Sequence, residues 1–213
     1  MKIEASFIRS AASAADLPRD GLAEIAFVGR SNVGKSSLIN ALVRQQLART
    51  SRAPGKTRLA NIYRVARGAA APFYLVDLPG YGYARGGSGE FVGLLNDYFG
   101  TSSGSAAALL LVDVRHPGLQ SDTDAWRWLH AAVHDRAVVA TKIDKLARGE
   151  RIRAMRELES VFDMPVLPVS AATGEGLDEL WKLIEHLNHN SRNSSPPPPR
   201  RPAAATAPRP RKR

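Results

Sequence analysis

The segment GRSNVGKS, Gly29–Ser36, joins the apolar run Glu24–Val28 (EIAFV) to the helical pattern Lys35–Gln46, and that junction decides the fold. A strand-length run, a loop with two glycines and a helix start form the setting in which backbone N–H groups converge on a phosphate chain. Gly29 and Gly34 stand where a Cβ would obstruct that approach. Lys35 supplies a point charge for β- and γ-phosphates, Ser36 a hydroxyl for Mg2+, and the helix N-terminus its dipole. Arg30, Ser31, Asn32, Val33 and Ser37 complete the stretch that would line the phosphates.

Outward from this junction, short apolar runs alternate with amphipathic stretches. The runs are Phe73–Val76, Ala107–Val112, Ala137–Ala140 and Val166–Val169; the stretches are Glu90–Phe99, Ser121–His134, Arg148–Phe162 and Leu177–Leu187. Parallel strands buried on both faces by crossover helices have this pattern, so we expect an α/β fold of three layers, a mostly parallel sheet with helices on both faces. Leu59–Val65 alternates beside Phe73–Val76 and is expected as one antiparallel edge strand. Ser121 and Asp122 are candidate helix starts, and Gly176 breaks the chain before the last helix. For 213 residues one domain is the default. We expect an N-terminal extension at 1–20, a nucleotide-binding domain at 21–190 and a tail at 191–213.

Composition narrows the setting. There is no cysteine, hence no disulfide framework and no thiolate metal site, which favours the cytoplasm. Glu4 and Arg9 interrupt the N-terminus before a signal sequence could form, and the longest apolar run, Ala106–Val112, is far too short to span a bilayer. No membrane partner is expected. The net charge of +10 is uneven: Ser191–Arg213 carries seven basic residues and no acidic one. With four consecutive prolines and hardly any large apolar residue, this stretch reads as a disordered basic arm suited to RNA rather than DNA.

A phosphate loop alone would suit an ATPase, a nucleotide kinase or a GTPase. Three further elements, each at a strand's carboxyl end, choose among them. Asp77-Leu78-Pro79-Gly80 offers a carboxylate that can hold Mg2+ through water and a glycine N–H for the γ-phosphate. In Thr141-Lys142-Ile143-Asp144, Asp144 can accept from the guanine N1–H and exocyclic amine, a donor pair adenine lacks, while the Lys142 stem covers the base. Val169, Ser170 and Ala171 close the last strand, where a backbone N–H can donate to the guanine O6.

This set resembles the TRAFAC GTPases and, more narrowly, the EngB (YihA/YsxC) family of bacterial ribosome-assembly GTPases. The resemblance runs from about Phe7 to Leu187 and rests on FIRSAASAADLP (Phe7–Pro18), EIAFVGRSNVGKSSLINAL (Glu24–Leu42), PGKTR (Pro54–Arg58), DLPGYGYA (Asp77–Ala84), VDVRHPG (Val112–Gly118) and TKIDKL (Thr141–Leu146). It implies a Ras-like P-loop GTPase fold that binds GTP and GDP and hydrolyses GTP slowly, with Lys35, Thr57 and Gly80 as the catalytic set. It further implies that Thr57 ligates Mg2+ with Ser36, and that Gly55, Lys56, Arg58 and Leu59 line the nucleotide. The implied client is the large ribosomal subunit and its rRNA, with an effect on cell division and septation. Two rivals are another RNA client, such as tRNA or small-subunit rRNA, and a non-hydrolysing RNA-binding module that GTP only stabilises.

The chain departs from the family in a glycine-rich ARGGSGEFVG after the DLPG element and in the length of its basic tail. Tyr81 stands where Ras-like proteins carry a water-orienting glutamine, so intrinsic hydrolysis should be slow or need another group. Asn32 resembles the asparagine that holds a potassium ion in related GTPases; its alternative is loop-shaping by a residue that tolerates unusual dihedrals. His130 and His134 have the spacing of a zinc helix but lack its glutamate and are read as surface residues, while Trp126, Leu129 and Val133 read as a core stripe flanked by Trp128.

Overall fold

Alternate residues along two neighbouring strands divide between two separate apolar layers. On β2 (Glu24–Gly29) Ile25 and Phe27 face one layer, Ala26 and Val28 the other; on β5 (Ala106–Asp113) Ala107, Leu109 and Leu111 oppose Ala108, Leu110 and Val112. A period of two with apolar residues on both sides places these strands in the centre of a sheet covered on both faces. One layer is closed by α1 (Lys35–Val43) and α5 (Leu177–Ser194) through Leu38, Ile39, Leu42, Leu180, Trp181 and Ile184. The other is closed by α2 (Ser88–Thr101), α3 (Gln120–Ala132) and α4 (Arg148–Phe162) through Leu95, Tyr98, Leu129, Leu158 and Phe162.

The remaining strands are β1 (Ile3–Ala11), β3 (Ala60–Arg67), β4 (Phe73–Asp77), β6 (Arg136–Thr141) and β7 (Val166–Pro168). The sheet runs β1-β3-β4-β2-β5-β6-β7, with parallel pairing from β4 to β7 and β3 antiparallel to both neighbours. This computed structural model describes residues 2–11, 16–48, 60–82, 88–101 and 106–194.

Three expectations are corrected. Residues 1–20 are not wholly an appendage, because β1 pairs with β3 from Ile3 opposite Arg67 to Ala11 opposite Ala60. Consequently β3 is not the edge strand; β1 is. Only Ala11 of β1 is buried, the strand carries a register shift between Phe7 and Arg9, and its apolar side rests on contacts such as Phe7 against Tyr63 at 5.8 Å, so the segment has little hydrophobic alternation to display. The last helix, expected to end at Leu187, continues to Ser194, into the stretch assigned to the tail. Its buried stripe is extended by polar residues, Asn188 and Ser191, which a search for apolar periodicity passes over.

The core stripe on α3 is present in part: Leu129 and the following Val133 are buried, and Trp126 packs edge-on against Phe162 at 6.0 Å. Trp128 flanks them on Phe99 and donates from Nε1 to Asn96 Oδ1 at 3.2 Å.

Candidate functional site

Gly29–Ser36 leaves the end of β2 and turns into α1 through residues whose backbone fixes the loop. Asn32 (φ 63°) and Gly34 (φ 109°) adopt left-handed conformations, the first tolerated by asparagine and the second by glycine. A Cβ at Gly29 would stand 2.8 Å from the Leu111 carbonyl oxygen, so the close packing of the loop on β5 requires glycine there. Lys35 is buried and donates from Nζ to the Gly29 carbonyl at 2.9 Å and the Arg30 carbonyl at 3.3 Å, which curls its side chain back along the loop. Burial pushes the Lys35 ammonium below its usual range, with the Asp77 charge opposing. Added anionic oxygens at this ammonium would relieve that desolvation.

β4 delivers the second wall. Asp77, 5% exposed, accepts from Ser36 Oγ at 2.8 Å, and burial pushes its carboxyl up against the opposing effects of Lys35 and Ser36. Past Leu78 and Pro79 the chain lies directly on the loop: Ser31 N–H donates to the Tyr81 carbonyl at 2.9 Å and Ser31 Oγ to the Gly80 carbonyl at 3.2 Å. A Cβ at Gly80 would meet Ser31 N and Cα at 2.7 Å and Lys35 Nζ at 2.9 Å. Gly80 is therefore the point at which this segment touches the lysine.

A hydroxyl and a carboxylate in contact beside a buried ammonium are hard oxygen donors suited to Mg2+. Among the described residues no group of three or more His, Cys, Asp or Glu could hold a metal ion. A Mg2+ at Ser36 and Asp77 would thus take most of its ligands from phosphate oxygens and water, the ordinary arrangement for this ion. His130 and His134 stand outside any such group; His130 lies on the Trp126 ring and His134 beside Asp135.

The third wall comes from β6 and β7. Thr141 Oγ1 donates to the Val33 carbonyl at 2.8 Å, tying β6 to the loop. Lys142, in a left-handed conformation (φ 62°), reaches back to donate from Nζ to the Asn32 carbonyl at 2.6 Å and to Asp113 Oδ2 at 2.9 Å. Its stem stretches across the loop, where a Cβ on Gly34 would lie 3.8 Å from Lys142 Cε. Asp144, in the turn Ile143–Lys145, accepts from Ser170 Oγ at 2.6 Å, and this hydrogen bond is the main reason its carboxyl lies below the usual range. Ser170 is fully buried and also accepts from the Ala172 and Thr173 amides, which leaves the Ala171 amide out of that ring.

The structure thus brings Gly29–Ser37, Asp77–Gly80, Thr141–Asp144 and Val169–Ala171 to one end of the sheet. Gly55, Lys56, Thr57, Arg58 and Leu59 lie outside the described residues. Tyr81 does not face this cleft as a glutamine substitute would: it is buried, and its Oη donates to Asp122 Oδ1 on α3 at 2.7 Å.

Asp113 and Arg115 were not singled out from the sequence, although both fall in VDVRHPG. Asp113 accepts from Arg115 Nε at 2.9 Å and from Arg115 NH2 at 2.7 Å, besides Lys142. Asn40 is a second omission, a buried residue of α1 whose Oδ1 accepts from the Leu47 and Ala48 amides at 2.9 and 2.6 Å. It anchors the chain where it departs toward residues 49–59. A buried polar residue in an otherwise apolar helix face was the available signal.

Comparison with known proteins agrees with this geometry. The model of the 50S ribosome-binding GTPase family matches residues 24–142, more than half of the chain. A GTP-binding protein EngB of Pelotomaculum thermopropionicum is 42% identical over 193 residues, covering 86% of this chain and 96% of that protein. Two solved structures show the same fold at 23% identity. An EngB GTP-binding protein aligns over 79% of this chain and 100% of its own with a TM-score of 0.60. Era, in complex with MgGDPNP and nucleotides 1506–1542 of 16S ribosomal RNA, aligns over 78% of this chain and 56% of its own with a TM-score of 0.66. With a phosphate loop, a strand-end aspartate and a paired lysine and aspartate converging on one cleft, and with relatives of this extent, the chain belongs to the EngB family of GTP-binding proteins and is a GTPase.

Proposed function

We propose that the protein is a cytoplasmic GTP-driven switch in assembly of the large ribosomal subunit, and that through ribosome supply it supports cell division and septation. The observation that carries a switch is Gly80: it sits against Ser31 and Lys35, at the end of the loop where a γ-phosphate would differ from its absence. In this reading the Arg30–Ser37 amides and Lys35 hold the phosphates, and Asp144, positioned by Ser170, reads guanine together with the Ala171 amide. Ser36, Asp77 through water, and Thr57 would hold Mg2+, which when bound neutralises charge on the β- and γ-oxygens. If Asn32 also holds a potassium ion, hydrolysis is faster in K+ than in Na+ and the difference disappears in Asn32→Ala; equal rates would leave Asn32 its left-handed backbone role alone.

The large-subunit client is supported by the description of the family matched, 50S ribosome-binding GTPase. The Era complex with 16S rRNA favours a second reading, a small-subunit client. Depleting the protein from cells and resolving ribosomal particles on a gradient separates them. We expect a deficit of large subunits with free small subunits in excess, accompanied by failed septation. A deficit confined to small subunits, or an unchanged profile, would overturn the large-subunit role.

A further inference from the structure

The charge order of α4 runs against its own helix dipole. Its first nine residues carry Arg148, Arg151, Arg153 and Arg156 against one acid, while Glu157 and Glu159 follow toward the C-terminus. Arg148 and Arg151 in the first turn and Glu159 in the last work against the helix dipole, whose effect is confined to those turns, so the charges at the two ends are not explained by the helix itself. The lone early acid, Glu150, accepts from the Ala147 amide at 3.1 Å as a cap. Arg151 turns aside to pair with Glu175 at 2.6 Å. Arg148, Arg153 and Arg156 have no ion-pair partner among the described residues.

These three point to one side. At 3.6 residues per turn, Arg148, Ile152, Arg153 and Arg156 fall within an arc of about 140°, with the exposed Glu159 on the same arc about 4.5 Å beyond Arg156. That arc lies opposite the buried stripe of Ala154, Leu158 and Phe162. Ile152, in its middle, is 46% exposed. From Arg148 to Arg156 the arc extends about 12 Å along the helix.

We propose that this outward arc of α4 is a docking surface for the phosphate backbone of RNA, with Arg148, Arg153 and Arg156 on phosphates and Ile152 covering sugar between them. The arc carries three arginines against one glutamate, and Ser191–Arg213 carries seven basic residues and no acid; both balances match a polyanion better than a protein surface of equal charge. The arc belongs to a helix that contributes no residue to the phosphate loop or to the segment at Gly80, so its contribution is the same whichever nucleotide is bound. It therefore differs in kind from the switch contact. The inference rests on the reading of an RNA client, though not on which RNA it is.

The test uses the full chain with GDP and a fluorescently labelled 20-base-pair double-stranded RNA, titrated from 50 to 300 mM KCl. R148A/R153A/R156A is compared with R64A/R127A/K182A, which removes the same charge from exposed positions elsewhere. We expect the α4 variant to lose at least tenfold in affinity at 100 mM KCl, and its slope of log affinity against log salt to be shallower by about two to three. The control should lose less than threefold, and both should keep wild-type affinity for GDP. Equal losses in the two variants, or an unchanged slope, would remove the α4 surface. So would RNA binding that persists while binding to an acidic protein is lost. If the wild-type chain bound no RNA at all, the RNA-client reading would fall with it; binding that the α4 variant retains would sink the α4 surface alone.

Discussion

Tyr81 shows what a single position can and cannot announce. Its place after DLPG marks it as the substitute for a water-orienting glutamine, yet its hydroxyl is spent on Asp122, 41 residues away, and burial pushes the Asp122 carboxyl up while the tyrosine stabilises its charge. The backbone of the same residue is held independently by Ser31. Tyr81 is thus a strut between the DLPG segment and α3. Tyr81→Phe should cost about 1.5–3 kcal/mol by removing a donor from a buried carboxylate, while single-turnover GTP hydrolysis changes less than threefold. A tenfold slower reaction at unchanged stability would restore the tyrosine to the chemistry. Asp144 poses a sharper test, because its carboxylate is oriented by Ser170 and an amide in its place presents a donor where guanine also donates. Asp144→Asn should weaken GTP binding and shift preference toward xanthosine nucleotides, measured by competition; unchanged GTP affinity would cancel the assignment.

The ends of β5 and β6 carry an element-level device, in which Asp113 joins Arg115 to Lys142 and so holds the lysine stem across the phosphate loop. Burial alone would push the Asp113 carboxyl up, but hydrogen bonds from Arg115 and Lys142 outweigh it and hold the group well below the usual carboxylate range. A depressed folded-state value means that stability from this group is fully present above about pH 4 and is lost as pH falls from there toward the folded value. Asp113→Asn should therefore be destabilised by about 1.5–3 kcal/mol at neutral pH, and the gap in thermal midpoint should narrow steadily on acidification from pH 5 to pH 2. A gap of constant size over that range would show that the charge is not the source. Elements with apolar periodicity were legible in advance: α4 has the bounds its pattern indicated, and β2, β5 and β6 lie where their runs do. What escaped was held by other means. β1 survives on backbone pairing to β3, α5 is prolonged by Asn188 and Ser191, and Asn40 and Asp113 act through hydrogen bonds to residues that only the fold brings near.

At the scale of the whole chain, the cleft residues and most of the net charge belong to different stretches of sequence. The described cleft gathers the ends of β2, β4, β6 and β7 around Lys35, whereas seven of the ten net positive charges belong to Ser191–Arg213. That division predicts two separable contributions to docking. Counterion release from the basic stretch is blind to the nucleotide, and the contact of Gly80 with the lysine end of the phosphate loop is not. Sedimentation of the tagged full chain with purified large and small ribosomal subunits, in a non-hydrolysable GTP analogue and in GDP, tests this directly. We predict at least tenfold tighter binding to large subunits with the analogue than with GDP, and weak, nucleotide-independent binding to small subunits. Equal binding to large subunits in the two nucleotide states, or nucleotide-dependent binding to small subunits alone, would contradict a switch acting on the large subunit.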